Sequence, residues 1–561
     1  MDTHTYPGRG LSVSQLIFAL NEELKRVAYS PLFTLEAVSQ LDWDGSTALA
    51  SIREWRNSLV RVNRIPIDIL SLIPTHLTSQ KDHFHAASVC RHWRGVLLNH
   101  GAMWSQLFLG KGEECVSTLL ERAKGSVLDV VAYGDPPVGT VTLISSRAQQ
   151  IRHLELRHIR WQDITTFSEL KPLLRTLKII SPETTNLHGQ PIILAPPSLT
   201  LFSGSISLEQ FVFCSWRLPL LNHFSFPNLT TFELLSDPSG NYSALHLLDF
   251  LKDSPTLQMV EVRISEVWMQ DVPQEMVVVL PNAETFSLRV ADGPTTRVYD
   301  IGTHISCPSA RQMALKCEID DSDMGLYLAI FPTPVLWDTI VHQHMANPIE
   351  EVTLEIDGSD DDNIRSFLTF QTSDATTVRL GFDIDDTGAD RDELNMPRDE
   401  MGWEIFSQAL TTIRDHPLIS HVKRLRIKYR AAAPHTFGML AVADKVQGLF
   451  DSLGPLDQLT ICGCDLHVFL ATFLDDPVFY DLEQPIVFPQ IRELAILHPL
   501  MDDDEMECMD AIKELAMSQY MLGVPFERVT VRMWSLPDGM AEELGQWVAT
   551  VDCCQEWYRE E

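Results

Sequence analysis

The chain has 561 residues, 45% of them hydrophobic, and a formal net charge of −34. This length points to several domains or one repeat array, and the apolar share excludes a largely disordered polymer. The acidic balance argues against a nucleic-acid binder, which needs clustered Lys and Arg, and against docking on anionic membranes, while leaving room for a local basic patch.

Residues 1–60 carry helical periodicity in "SQLIFALNEELKRV" (Ser14–Val27) and "SIREWRNSLVRV" (Ser51–Val62). The apolar run Leu11–Leu20 is interrupted by Ser12, Ser14 and Gln15, so no signal peptide is expected. No apolar run reaches the ~18 residues of a membrane span. Ten cysteines are scattered from Cys90 to Cys554 without a regular framework, so reduced thiols in the cytosol or nucleus are expected.

Three short helical segments are predicted next. The first covers Pro66–His76, with Pro66 opening it and Ile69, Leu70, Ile73 and Leu77 on one stripe. The second covers Asp82–Leu98 and is expected to stop at a left-handed Gly101. The third lies around Ala102–Leu107.

From about Leu128 to Trp534, short strand patterns recur in a loose L-x-x-L-x-L frame. They start at Ile151, Leu174, Asn228, Thr256, Ala283, Ala310, Ile349, Ala375, Val422, Leu456, Ile491 and Phe526. Helices are predicted between some of them, over Tyr242–Pro255 and Asp504–Gly523. This alternation gives an α/β fold class, an irregular leucine-rich-repeat-like solenoid with a parallel sheet. An open α/β fold with a non-solenoid sheet stays open on the pattern alone. The domain reading is a helical lead-in over 1–60, a helical unit over 61–110, and a repeat domain over 111–561 with "VDCCQEW" (Val551–Trp557) packing as a C-terminal cap.

The stretch "RIPIDILSLIPTHLTSQKDHFHAASVCRHWRGVLLNHGAMWSQLFL" resembles an F-box. Ile65-Pro66-Ile67-Asp68 stands for the Leu-Pro-x-Glu start, Asp82 for the acidic turn, Val89-Cys90-x-x-Trp93 for the second signature, and Met103-Trp104 for the terminal Leu-Trp. The lead-in and the repeats are similar to fungal F-box proteins with degenerate leucine-rich repeats. The resemblance implies a non-catalytic adaptor. It would dock a Skp-type adaptor and through it a cullin, forming an SCF-type ubiquitin ligase, and capture a protein substrate with its repeats. No cofactor is implied.

A three-helix unit cannot enclose all its apolar surface. Ile65, Pro66, Ile69, Leu70 and Ile73 are the expected adaptor-binding residues, and Leu77, Val89, Cys90, Trp93 and Trp104 the expected interior. The plainer alternative is that these helices only cap the first repeat. In "VKRLRIKYR", Arg424, Arg426, Lys428 and Arg430 share one strand face. They are either half of an internal charge ladder with the acids of "VRLGFDIDD" (Val378–Asp386) or a basic groove for an acidic or phosphorylated substrate.

Other signals fall short. "DIDDTGADRDEL" begins like a calcium loop but ends on Leu394, where a bidentate Glu is required. "CGC" (Cys462–Cys464) with His467 lacks the spacing of a zinc site, and "HQH" (His342–His344) lacks carboxylate support. The acidic runs Ser359–Asn363 and Met501–Glu507 are read as solvated loops or helix starts. No P-loop, nucleophile elbow or H-E-x-x-H occurs. The leading expectation is therefore a ligase substrate receptor. A repeat scaffold without ligase recruitment comes second, and a hydrolase with an unfamiliar site a distant third.

Overall fold

The computed structural model describes residues 35–60, 65–77, 80–134, 136–159, 174–180, 207–215, 224–236, 241–264, 266–269, 272–291, 296–320, 348–358, 363–385, 421–431, 452–463, 490–497, 505–533 and 539–555, with a few isolated residues elsewhere. The helix expected over Ser14–Val27 is described at Phe18, Ala19, Asn21, Glu22, Glu23, Lys25 and Arg26, all of them helical, with Lys25 paired to Glu22 and Arg26 to Glu23. The His342–His344 motif, the Cys464–His467 half of the "CGC" motif, Thr387–Leu394 of the calcium-like loop, most of Ser359–Asn363, Met501–Asp504 and the end of the "VDCCQEW" segment lie outside the described residues. The chain forms two compact units, one of Met1–Gln106 with Ser117–Val127, the other of Leu107–Val116 with Leu128–Glu561. It is a mixed α/β chain: N-terminal helices followed by a large, mainly parallel sheet.

In the first unit a long helix, α1 (Leu35–Leu59), precedes α2 (Ile67–Leu72), α3 (Gln80–Ser88) and α4 (Arg91–Asn99). Pro66 sits at the N-cap of α2, and its carbonyl accepts the Leu70 amide at 2.9 Å. The single helix expected over Asp82–Leu98 is in fact two. Cys90 is extended (φ −161°, ψ 172°) and caps α4, while Arg94 Nε donates to the Ala87 carbonyl at 3.2 Å across the corner. β-branched Val89 falls at this break, where the helical ladder ends.

Gly101 is also used differently from expectation. It is not in the left-handed region, and α4 ends on extended His100. A Cβ at Gly101 would lie 2.5 Å from the Ala123 carbonyl oxygen and 2.7 Å from Ser126 Oγ. Close backbone approach, not turn geometry, excludes a side chain there.

The second unit carries a sheet of seventeen strands among the described residues. In chain order they are β1 (Gln106–Phe108), β2 (Leu128–Tyr133), β3 (Ile151–Arg157), β4 (Thr176–Ile180), β5 (Gln210–Ser215), β6 (Thr231–Ser236), β7 (Met259–Ile264), β8 (Thr285–Ala291) and β9 (Gln312–Asp320). Then come β10 (Ile349–Gly358), β11 (Asn363–Thr372), β12 (Thr377–Asp385), β13 (Arg424–Ala431), β14 (Leu456–Cys462), β15 (Ile491–Leu497), β16 (Arg528–Met533) and β17 (Thr550–Gln555). Every stretch read as a strand from the sequence contains one. The C-terminal segment read as a cap instead supplies β17, which pairs parallel to β16.

Most strands from β2 onward pair parallel to the next in the chain. Below each strand the backbone repeats one arrangement. The Thr230 carbonyl accepts the Gln258 and Met259 amides at 2.8 and 3.0 Å, the Gln258 carbonyl those of Glu284 and Thr285 at 2.8 and 3.1 Å, and the Glu284 carbonyl those of Arg311 and Gln312 at 2.8 and 3.2 Å. Alternate residues of each strand therefore line up in lateral rows. Phe211, Phe232, Val260, Phe286 and Met313 form one buried row. Phe250, on a helix spanning Ala244–Lys252, meets Phe232 with ring centroids 4.5 Å apart.

One section breaks the sequential order. Strand β9 pairs with β12, not β10. Strand β12 pairs antiparallel with β11, β11 antiparallel with β10, and β10 parallel with β13. Gly381 on β12 lies opposite Phe367 on β11, where a Cβ would fall 2.3 Å from Phe367 Cδ1 and 2.6 Å from the Ser366 carbonyl oxygen. Gly381→Ala is expected to displace backbone as well as the ring and cost about 1–3 kcal/mol, read as a lower denaturant midpoint.

Burial pushes the Cys307 thiol up to about 12, from an ordinary value of 9.0. The folded chain therefore keeps a proton that the unfolded chain releases. The resulting stability is complete below pH 9.0 and is lost as pH rises towards about 12. Urea midpoints measured from pH 8 upward should fall through this window, and less steeply in Cys307→Ala.

Candidate functional site

The interior of the helical unit is built around Trp104. It is buried, its indole N–H donates to the Leu97 carbonyl at 2.9 Å, and its ring lies 5.5 Å from that of Phe84. The Arg122 guanidinium stands 5.0 Å above the same ring, a favourable cation–π position. Leu70, Leu97 and Met103 are buried beside it in the unit, as is His83, whose Nε2 is 3.1 Å from the Leu77 carbonyl oxygen. Trp93 is also buried.

Two sequence assignments change side. Leu70, expected to dock an adaptor, is 0% exposed, whereas Val89, expected inside, is 58% exposed. At 100° per residue, Leu70, Ile73 and Leu77 turn inward, while Ile65, Ile69 and Leu72 follow a neighbouring stripe. Val89 stands at the corner between α3 and α4 and so escapes burial. Of the other named residues, Pro66 is exposed, and Ile65, Ile73, Leu77 and Cys90 are half-buried.

The apolar side chains left on the surface of this unit include Ile67, Ile69 and Leu72, each more than half exposed. Ile67 and Leu72 were missed in the sequence reading. The signal for Leu72 was the spacing itself, since it lies one turn beyond Ile69 on the stripe that excludes Leu70, whereas Ile67, about 200° of rotation before Ile69, lies on a different face. Ile67, Ser71, His92, Gly95 and Val96 also border a shallow depression between α2 and α4. The arrangement presents Ile69 and Leu72 as a ridge on one face of α2, with Ile67 on another, on a frame fixed by Trp104.

The charged face of the sheet is a separate feature. Arg424, Arg426 and Lys428 share one face of β13, and the neighbouring strand is β10, not the "VRLGFDIDD" strand expected beside it. That strand, β12, lies two strands further away because β11 and β10 intervene. The acids opposite are Glu351 and Glu355, in register with Arg424 and Lys428. Arg424 Nε donates to Glu351 at 2.9 Å, and Lys428 Nζ lies 3.6 Å from Glu355. Arg426 is 3.9 Å from Glu351. Arg379 of β12 lies 3.5 Å over the Phe367 ring and reaches Glu355 at 3.6 Å. The Arg430 side chain lies outside the described residues, although its backbone pairs with Asp357. These pairs are partly exposed, so each contributes only about 0–1 kcal/mol.

Among the described residues, no group of three or more His, Cys, Asp or Glu side chains is placed to hold a metal, and no helix is long and apolar enough to cross a membrane.

Residues 62–110 match the F-box-like family. The match spans the helices α2 to α4 and the Trp104 turn, so the chain carries an F-box-like domain at the position where the structure builds the exposed ridge. Domains of this family typically bind Skp-type adaptors, and proteins that carry them are generally non-catalytic substrate receptors. No curated protein matches the chain.

Interior and ridge should separate experimentally. Trp104→Ala is expected to destabilise the helical unit by roughly 3–5 kcal/mol. Ile69→Ala should stay within about 0.5 kcal/mol of the parent. Thermal unfolding followed by circular dichroism measures both.

Proposed function

We propose that the chain is the substrate-recognition subunit of an SCF-type cullin–RING ubiquitin ligase. The observation that carries this reading is the exposure of Ile67, Ile69 and Leu72 on the F-box-like domain, flanked by Pro66, Ile65 and Ile73. Branched apolar side chains left exposed on a small domain mark an interface. A Skp-type adaptor covers this ridge and thereby links the chain to a cullin. Leu70 supports the ridge from within.

The sheet unit captures the protein substrate. Its successive parallel strands, with turns of about 27 residues through β6 to β9, favour a leucine-rich-repeat-like solenoid, of the kind found in fungal F-box proteins. The outward face carrying Arg424, Arg426 and Lys428 is the candidate capture surface. There the alternation of bases with Glu351 and Glu355 selects a partner of mixed charge. The cysteines, scattered along the sequence without a regular framework, suit a reducing compartment, the cytoplasm or nucleus.

Co-expression with a Skp-type adaptor tests the docking step. The wild-type chain should co-purify stoichiometrically, and the triple variant Ile67→Glu, Ile69→Glu, Leu72→Glu should lose about 100-fold or more in affinity with an unchanged circular dichroism spectrum. Undiminished binding by that variant would sink the proposal. A chain that binds a protein partner but no adaptor would be a scaffold instead. For the sheet, Arg426→Glu with Lys428→Glu should abolish retention of proteins captured by the wild-type chain while adaptor binding persists. Unchanged retention would rule the strip out as the capture surface.

A further inference from the structure

Helix α1 has a second pattern, unrelated to the ridge and independent of the adaptor reading. Val38, Leu41, Gly45, Ala48, Ile52, Trp55 and Leu59 recur at alternating steps of three and four. This is the heptad spacing of a helix that packs along another helix. The helix is about 38 Å long. Trp55 is 63% exposed, Leu59 49% and Ile52 38%. Its opposite face is the one turned to the domain: Ala50, Arg53, Glu54 and Asn57 line a depression with Cys90 and Arg94, and Glu54 lies 3.6 Å from Arg91. The stripe from Gly45 to Leu59 therefore points away from the F-box-like helices.

Gly45 adds a second observation. A mid-helix glycine costs about 1 kcal/mol relative to Ala. Nothing among the described residues demands it, since a Cβ there would meet none of their atoms within 4 Å. The charges are also uneven along the helix, with Glu36, Asp42 and Asp44 in its first half and Arg53, Glu54 and Arg56 in its second, Glu54 being turned to Arg91. Asp42 and Arg56 are exposed, and no ion pair of either is found among the described residues.

We propose that α1 pairs antiparallel with α1 of a second copy of this chain, making the protein a homodimer. One register satisfies every layer. It sets Gly45 against the second copy's Trp55, and Ala48 against its Ile52. Each small residue faces a large one, so the indole fills the space that Gly45 leaves open. The same register places Asp42 beside the second copy's Arg56 twice, by symmetry, along the rim of the seam, with Leu49 meeting its own counterpart at the centre. A parallel pair would instead stack Trp55 on Trp55 and Gly45 on Gly45, and would leave Asp42 far from Arg56.

Sedimentation velocity on the full chain tests this. The wild-type protein should be a dimer at micromolar concentration. Ile52→Glu and Trp55→Glu should each be monomeric with an unchanged circular dichroism spectrum, both positions being solvent-facing in the single chain. Asp42→Arg and Arg56→Asp should each weaken dimerisation by about tenfold, and the two together should restore it. The two positions lie about 21 Å apart on one helix, so recovery can come only from contact between copies. A monomeric wild type, a dimer indifferent to Ile52→Glu and Trp55→Glu, or a double variant as weak as the singles would each overturn the proposal. The triple ridge variant should remain dimeric, so failure of adaptor docking and failure of dimerisation are separate results.

Discussion

The sheet unit depends on lateral register between strands. A parallel strand leaves its edge amides and carbonyls unsatisfied unless the next arrives in step, and a one-residue slip turns every inward side chain outward. Here a slip would expose Phe211, Phe232 and Phe286 and bury Gln210, Thr231 and Thr285. The doubly accepting carbonyls of Thr230, Gln258 and Glu284 hold that register from below each strand. The same alignment fixes the outward rows, so charges of one sign cannot accumulate along a row without cost. Placing Glu351 and Glu355 between the cations of β13 and Arg379 of β12 relieves that cost locally.

The helical unit works under a different constraint, which is size. It has too few residues to bury every apolar side chain they carry. Trp104, Leu70, Leu97 and Met103 consume its interior, and the remaining branched residues stand outside. The Gly101 contact with the Ala123 carbonyl shows how closely its backbone is drawn in. A unit of this kind is left with apolar surface for association, and both the proposed adaptor docking and the proposed helix pairing would draw on that shortfall.

Much of this was legible in the sequence. Strand positions followed from alternation, and the F-box-like segment from several anchor residues at fixed spacing. What escaped was geometry that periodicity does not encode. Leu70 and Ile69 are adjacent and chemically alike, yet 100° of helical rotation sends one inside and the other out. Val89 looked internal because the break at Cys90 was not visible in a run of helix-compatible residues. Strand β11 was missed because its inward row is Ser366, Leu368, Phe370 and Thr372, which has polar ends and departs from the L-x-x-L-x-L frame. With β11 unseen, β12 was taken as the neighbour of β13. The charge ladder was therefore anticipated in kind but assigned to the wrong strand.

The reversed order of β10, β11 and β12 bears on how the chain reaches its fold. Sequential parallel strands let structure spread along a repeat array by nearest-neighbour steps. That spread cannot cross from β9 to β13 in chain order. The amide and hydroxyl of Thr377 both donate to the Arg311 carbonyl across 66 residues, and Arg424 closes on Glu351 across 73. Both closures carry more loop entropy than the steps on either side. The meander divides the sheet into an early and a late half that can each propagate alone, and it makes their joining the slow, cooperative event. A defect at Gly381 would then act at the joint on which both halves depend, and a chain arrested there would expose two open strand edges at once.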